Sequence, residues 1–102
     1  MKYVRNEPEL GVCQLWIEGA LDALTVRDID PVIDAVVASK PKRVNLDLEA
    51  LTLLDSSGVG AIISLFRRVA AGGGRLAVVR AHDQPLAVLK VLKLDRALGC
   101  EL

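Results

Sequence analysis

A chain of 102 residues that is 52% hydrophobic can bury about two-thirds of its unfolded surface in one domain, which excludes a disordered protein. Thirteen basic and thirteen acidic residues give zero net charge, with the basic residues scattered and no aromatic platforms, so nucleic acid is not an expected partner. No apolar run approaches the roughly 20 residues of a membrane span, and no signal-peptide pattern opens the chain, so we expect a cytoplasmic protein without membrane insertion.

Tyr3, Trp16 and Phe66 are the only aromatic residues, which leaves the core to Val, Leu, Ile and Ala. Charge is uneven along the chain: residues 1–55 carry 6 Lys/Arg against 10 Asp/Glu, and residues 56–102 carry 7 against 3. Cys13 and Cys100 are far apart and His82 is the single histidine. That is too few ligands for a metal site, and both cysteines read as small buried hydrophobes. A disulfide between them requires the first and last strands to be neighbours.

Met1 to Arg5 reads as a short strand, followed by a polar turn at Asn6-Glu7-Pro8-Glu9. From Leu10 to Glu18, Val12, Gln14, Trp16 and Glu18 alternate with Cys13, Leu15 and Ile17, the period of a strand. Gly19-Ala20-Leu21-Asp22 ends it. Val26, Ile29, Ile33, Val36 and Val37 then form one face of a helix, with Asp22 or Thr25 as its N-cap. Pro31 interrupts that pattern, so the helix either kinks there or begins its regular part near Asp30. Ser39-Lys40-Pro41 stops it.

Arg43 to Leu48 is the next strand, and Leu51 to Leu54 is an apolar extended run. Ala61, Ile62, Leu65, Phe66 and Val69 make a second helical stripe, with Arg67 and Arg68 facing solvent and Gly72-Gly73-Gly74 ending the helix. Leu76 to Val79 is continuously apolar, as expected of a central strand buried on both faces. A third helix is expected from about Gln84 to Lys93, capped by Asp83, with Pro85 in its first turn and Leu86, Leu89, Val91 and Leu92 inward. Leu98 to Leu102 is a candidate edge strand. The order predicts an α/β fold: one domain with a small mixed sheet of four to five strands, flanked by three to four helices.

Chemistry concentrates in Leu53-Leu54-Asp55-Ser56-Ser57-Gly58-Val59-Gly60, a strand-to-helix junction. Ser56 or Ser57 falls at a helix start, where a hydroxyl can cap and an attached phosphate would meet free N–H groups. Gly58 and Gly60 permit a close backbone approach. A serine hydrolase needs a base and an orienting acid, and its strained turn is G-x-S-x-G; here the order is D-S-S-G-x-G, and His82 lies in a distant loop. Neither Gly58-x-Gly60 nor the triple glycine continues into the Lys-Ser/Thr of a phosphate loop. No catalytic residue, cofactor or metal is expected.

Four segments in this order and spacing resemble a STAS domain, the family of bacterial anti-sigma factor antagonists. They are Ile17-Glu18-Gly19-Ala20-Leu21-Asp22-Ala23-Leu24-Thr25, Val44-Asn45-Leu46-Asp47-Leu48, Leu54-Asp55-Ser56-Ser57-Gly58-Val59-Gly60-Ala61 and Gly73-Gly74-Arg75-Leu76-Ala77-Val78. The resemblance spans nearly the whole chain and implies a non-enzymatic partner-switching protein. In the family the serine after the motif aspartate is phosphorylated by an anti-sigma factor that is also an ATP-binding serine kinase. A PP2C-type phosphatase reverses the modification, and the unphosphorylated antagonist binds the kinase and frees the sigma factor. By position Ser56 is then the phosphoacceptor, and Asp22, Asp55, Ser56, Ser57 and Gly58 form the partner-binding surface. Family members commonly continue into a final helix, whereas this sequence stops at Leu102. In that respect it is similar to STAS accessory subunits that dock on ABC-transporter ATPases, which usually lack the paired serines.

Overall fold

The structure, a computed structural model, describes residues 1–98. Five strands and three helices follow in the order β1 (Lys2–Glu9), β2 (Val12–Leu21), α1 (Val26–Ala38), β3 (Arg43–Asp47), β4 (Leu51–Leu54), α2 (Ser56–Ala71), β5 (Arg75–Val79) and α3 (Asp83–Val91). The sheet is mixed. β1 runs antiparallel to β2, β3 and β4 pair parallel with β2, and β5 pairs parallel with β3.

Register explains the core. Cys13 pairs with Val44 and Leu15 with Leu46, and on β5 the partners of those two are Leu76 and Val78, so six apolar side chains share one face. All six are buried, together with Ile29, Ile33 and Val36 of α1 and Ile62, Leu65 and Val69 of α2. The opposite face carries Gln14 and Trp16 beside Asn45 and Asp47. β2 therefore alternates as its sequence pattern requires, and α1 and α2 pack on each other over the apolar side.

Several local expectations need correction. The polar stretch Asn6–Glu9 is not a turn: β1 continues to Glu9 across a register shift, and the reversal falls at Leu10-Gly11, where Gly11 has φ +81°. Pro8 is tolerated there because β1 is an edge strand. Gly19 and Ala20 extend β2 and pair with β4. Of the two outcomes expected at Pro31, a helix beginning near Asp30 does not hold, since α1 runs from Val26 to Ala38 with Pro31 inside it. The carbonyl that Pro31 leaves unbonded belongs to Arg27, and both residues are exposed, where water can take over.

β5 is not buried on both faces. Among the described strands it pairs with β3, and on its other edge the Val78 N–H donates to the Leu98 carbonyl at 3.1 Å. Ala77 and Val79 are only half-buried, because they face the side that α1 and α2 leave uncovered. Val91 at the end of α3 and Leu92 just after it point outward, at 79% and 51% exposure, and within α3 only Pro85 and Leu89 are buried. Asp83 does not cap α3. His82 holds the N-cap position without a side-chain cap bond, and Pro85 removes the third-position N–H that a cap would otherwise serve. Cys13 is buried and free. The expected strand Leu98–Leu102 and Cys100 lie beyond the described residues, apart from Leu98 itself. No described helix is long and apolar enough to cross a membrane, and no cluster of metal-ligating side chains occurs among the described residues.

Candidate functional site: the serine junction

β4 and α2 meet at Asp55, whose backbone is extended (φ −110°, ψ −173°) before the chain turns into the helix. Its Oδ1 accepts the Gly58 N–H at 3.0 Å, so Asp55 is the N-cap of α2. A serine cap was expected, but a carboxylate one residue earlier reaches the third helical N–H and fills the role. Ser56 and Ser57 consequently become the first and second helical residues. Ser56 is exposed and Ser57 half-buried. Among the described residues no hydrogen bond engages the Ser56 hydroxyl.

The second oxygen of Asp55 reaches another element. Oδ2 accepts the Ala23 N–H at 3.2 Å, tying the β2–α1 loop to the start of α2. Asp22 stands one residue away in that loop, so the fold does bring the two acidic positions into one neighbourhood. Its carboxylate is engaged within the loop, where Oδ1 accepts the N–H groups of Leu24 and Thr25, both at 3.0 Å. The bond from Thr25 N–H, followed by that from Leu24, holds the Asp22 pKa below its ordinary value. Thr25, at the N-cap position of α1, donates its hydroxyl to the Ala20 carbonyl at 2.8 Å and accepts the Asp22 N–H at 3.0 Å. Asp22 and Thr25 thus share the work of closing this loop.

Gly58 is fixed by space. A Cβ built there would stand 2.4 Å from the Leu21 carbonyl oxygen and 2.7 Å from Leu54 Cδ1, so α2 can approach β2 this closely only through a glycine. Gly60 differs from expectation: a Cβ there would meet nothing within 4 Å, so no close approach requires it.

The side of the junction facing α3 was not anticipated. An apolar groove of about 380 Å³ runs between Leu54, Ser56 and Val59 on one wall and Ala87, Val88 and Val91 on the other. Gln84 also lines it, accepting the Leu54 N–H at 2.8 Å and donating to the Leu54 carbonyl at 2.9 Å. Nothing in the sequence around Gln84 signals this, because a helix-start glutamine normally faces water.

A second polar cluster lies at the β3–β4 turn. Asp47, 1% exposed, pairs with Arg80 and accepts the Glu49 N–H at 3.1 Å, while Arg80 also reaches Glu49 at 2.7 Å. The hydrogen bond to Asp47 raises the Arg80 pKa above its ordinary value. His82 places Nε2 at 2.6 Å from the Glu49 carbonyl oxygen and Nδ1 at 2.6 Å from Asp83 Oδ2. Both partners are acceptors, the carbonyl having the larger effect, and they raise the His82 pKa above its ordinary value. His82 is thereby engaged away from both serines, and no triad can form around it.

These features define a class: a mixed α/β domain that presents an exposed serine at a carboxylate-capped helix start. The chain belongs to the STAS family, whose domain model matches residues 3–101. An anti-sigma factor antagonist from Mycobacterium paratuberculosis superposes over 97% of this chain and 83% of its own, with a TM-score of 0.86 and 22% identity. The Bacillus cell fate determinant SpoIIAA in its phosphorylated form covers 99% of this chain and 92% of its own, with a TM-score of 0.77 and 20% identity. A sulfate transporter family protein from Wolinella succinogenes covers 92% of this chain and 76% of its own, with a TM-score of 0.76 and 21% identity. At such identities the likeness establishes the shared fold. No curated protein matches the sequence.

Proposed function

We propose that this protein is an anti-sigma factor antagonist switched by reversible phosphorylation of Ser56, acting as one STAS domain and without catalysis of its own. The observation that carries the reading is the division of labour at the junction. Asp55 caps the helix, which leaves the Ser56 hydroxyl exposed and unbonded at the first helical position. A hydroxyl already spent on capping would be a poor phosphoacceptor; this one is presented. Support comes also from the phosphorylated form of SpoIIAA, a structural neighbour.

The partner is an anti-sigma factor that is also a serine kinase, binding the unphosphorylated form over Asp22, Asp55, Ser56, Ser57 and Gly58 in the cytoplasm. A PP2C-type phosphatase resets the switch. Phosphate adds about −1.5 to −2 charges at neutral pH. The amides of Ser56 and Ser57 at the helix start offset part of that charge, by roughly 0.3–1 kcal/mol. Across an interface, the dianion must be desolvated close to Asp55 and an apolar groove. A loss of about 3–4 kcal/mol there weakens binding about 100- to 1000-fold.

The test uses anti-sigma factor kinases sought among the products of neighbouring genes. Incubated with ATP and the kinase, the wild type gains one phosphate by intact mass and Ser56→Ala gains none, while Ser56→Ala binds constitutively. Full modification of Ser56→Ala would overturn the assignment. A second reading, an accessory subunit that docks on an ABC-transporter ATPase, draws on the likeness to the Wolinella transporter-family protein. It predicts no phosphorylation and association with the ATPase instead.

A further inference from the structure

We infer that Gln84 is a positioning residue for the Ser56 junction: its side-chain amide completes the free edge of β4 and holds Leu54, two residues before the acceptor serine, in place. The phosphorylation consequence rests on the proposed role of Ser56, whereas the clamp itself rests on geometry alone.

β4 has four residues, and its ladder to β2 involves Gly19, Ala20 and Leu21. Successive strand residues direct their N–H groups to opposite edges. The Asp55 N–H donates to the Leu21 carbonyl at 3.3 Å, so Leu54 turns its own N–H and C=O away from β2. An unpaired edge at that point would fray or recruit a foreign strand. The Gln84 carboxamide has the donor and acceptor of a peptide group, and it makes the pair of bonds that a neighbouring strand would make, at 2.8 and 2.9 Å.

Three elements therefore fix where Ser56 is presented. β2 holds the Asp55 N–H, the β2–α1 loop holds Asp55 Oδ2 through Ala23, and α3 holds Leu54 through Gln84. The last of these depends on one side chain. α3 has anchors of its own in Pro85 and Leu89, so losing the clamp frees Leu54 without unfolding the helix.

The experiment compares wild type, Gln84→Ala and Gln84→Glu, the last keeping the acceptor and losing the donor. Amide hydrogen exchange by NMR reads the clamp, and phosphorylation by an anti-sigma factor kinase identified as phosphorylating the wild type reads its consequence. In Gln84→Ala we expect Leu54 exchange to rise about tenfold, as for the loss of one hydrogen bond, with melting within about 5 °C of wild type. The KM of phosphorylation should rise roughly tenfold with kcat nearly unchanged, since presentation and not chemistry is lost. Gln84→Glu should fall between the other two in both readouts. Unchanged Leu54 exchange would refute the clamp. Raised exchange with an unchanged KM, or a Gln84→Glu KM equal to wild type, would refute the positioning role. If wild type itself accepts no phosphate, the proposed function fails, and the exchange measurement alone decides whether Gln84 holds Leu54.

Discussion

Replacing Gly58 by alanine tests the geometry of the junction most directly. The added Cβ would lie 2.4 Å from a backbone carbonyl oxygen and 2.7 and 2.9 Å from the side chains of Leu54 and Leu21. An ordinary contact begins near 3.4 Å, so the start of α2 must retreat by about 1 Å. The carbonyl cannot swing aside, because it accepts the Asp55 N–H. Overpacking a buried site typically costs about 1–3 kcal/mol, and a backbone obstacle puts this site at the upper end. Alanine recovers about 1 kcal/mol of helix propensity, which leaves a net destabilisation of about 2 kcal/mol. For a domain of this size that lowers the melting temperature by about 10 °C, measured by circular dichroism. Gly60→Ala is the internal control. It gains the same propensity with nothing within 4 Å to obstruct it, and should melt about 5 °C above wild type. Gly58→Ala melting at or above wild type would show that α2 does not approach β2 as described.

Two further perturbations separate the junction from its surroundings. Asp55→Ala removes both the Gly58 cap and the Ala23 contact, so it should cost about 1–2 kcal/mol in urea unfolding; stability equal to wild type would mean that a serine carries the cap after all. The His82 pKa lies above its ordinary 6.5 in the folded protein, through the Glu49 carbonyl first and Asp83 second. A raised folded pKa gives stability that is complete below the unfolded value and lost as pH rises through the folded one. His82 is the sole histidine, so an NMR titration reads it without ambiguity. A midpoint at or below 6.5, or a His82→Ala variant that keeps the wild-type fall in stability above that pH, would contradict the pairing.

Much of the fold was legible because burial follows period. Cys13, Leu15 and Ile17 alternate inward in β2, and Ile29, Ile33 and Val36 recur at helical spacing in α1. Local chemistry was misread where one residue competes with another for the same bond. Asp55 outcompeted Ser56 and Ser57 for the cap, and Asp83 fell inside α3 with its carboxylate drawn to His82 Nδ1. The half exposure of β5 was hidden for a different reason. Four consecutive apolar residues read as buried on both faces, but which face the helices cover is a tertiary property, and Ala77 and Val79 lose little by half exposure. The Gln84 clamp had no sequence signal at all, since it joins residues 30 apart across two elements.

The way the bonds are distributed bears on the proposed switch, because a charged group added at Ser56 would not require the fold to be rebuilt. Every polar contact that holds the junction runs through a neighbour: Asp55 to Gly58 and Ala23, the Asp55 N–H to Leu21, and Gln84 to Leu54. Among the described residues none passes through the Ser56 hydroxyl. The tight packing belongs to Gly58, on the face of α2 that meets β2, whereas Ser56 lies in the wall of the open groove. Changing Ser56 should therefore move stability by no more than about 0.5 kcal/mol, as expected for an exposed side chain without a structural partner. Under the proposed function, stability and signalling are then separable at this site: substitutions at Asp55, Gly58 or Gln84 act on how the serine is held, and the proposed modification of Ser56 would act on what can approach it.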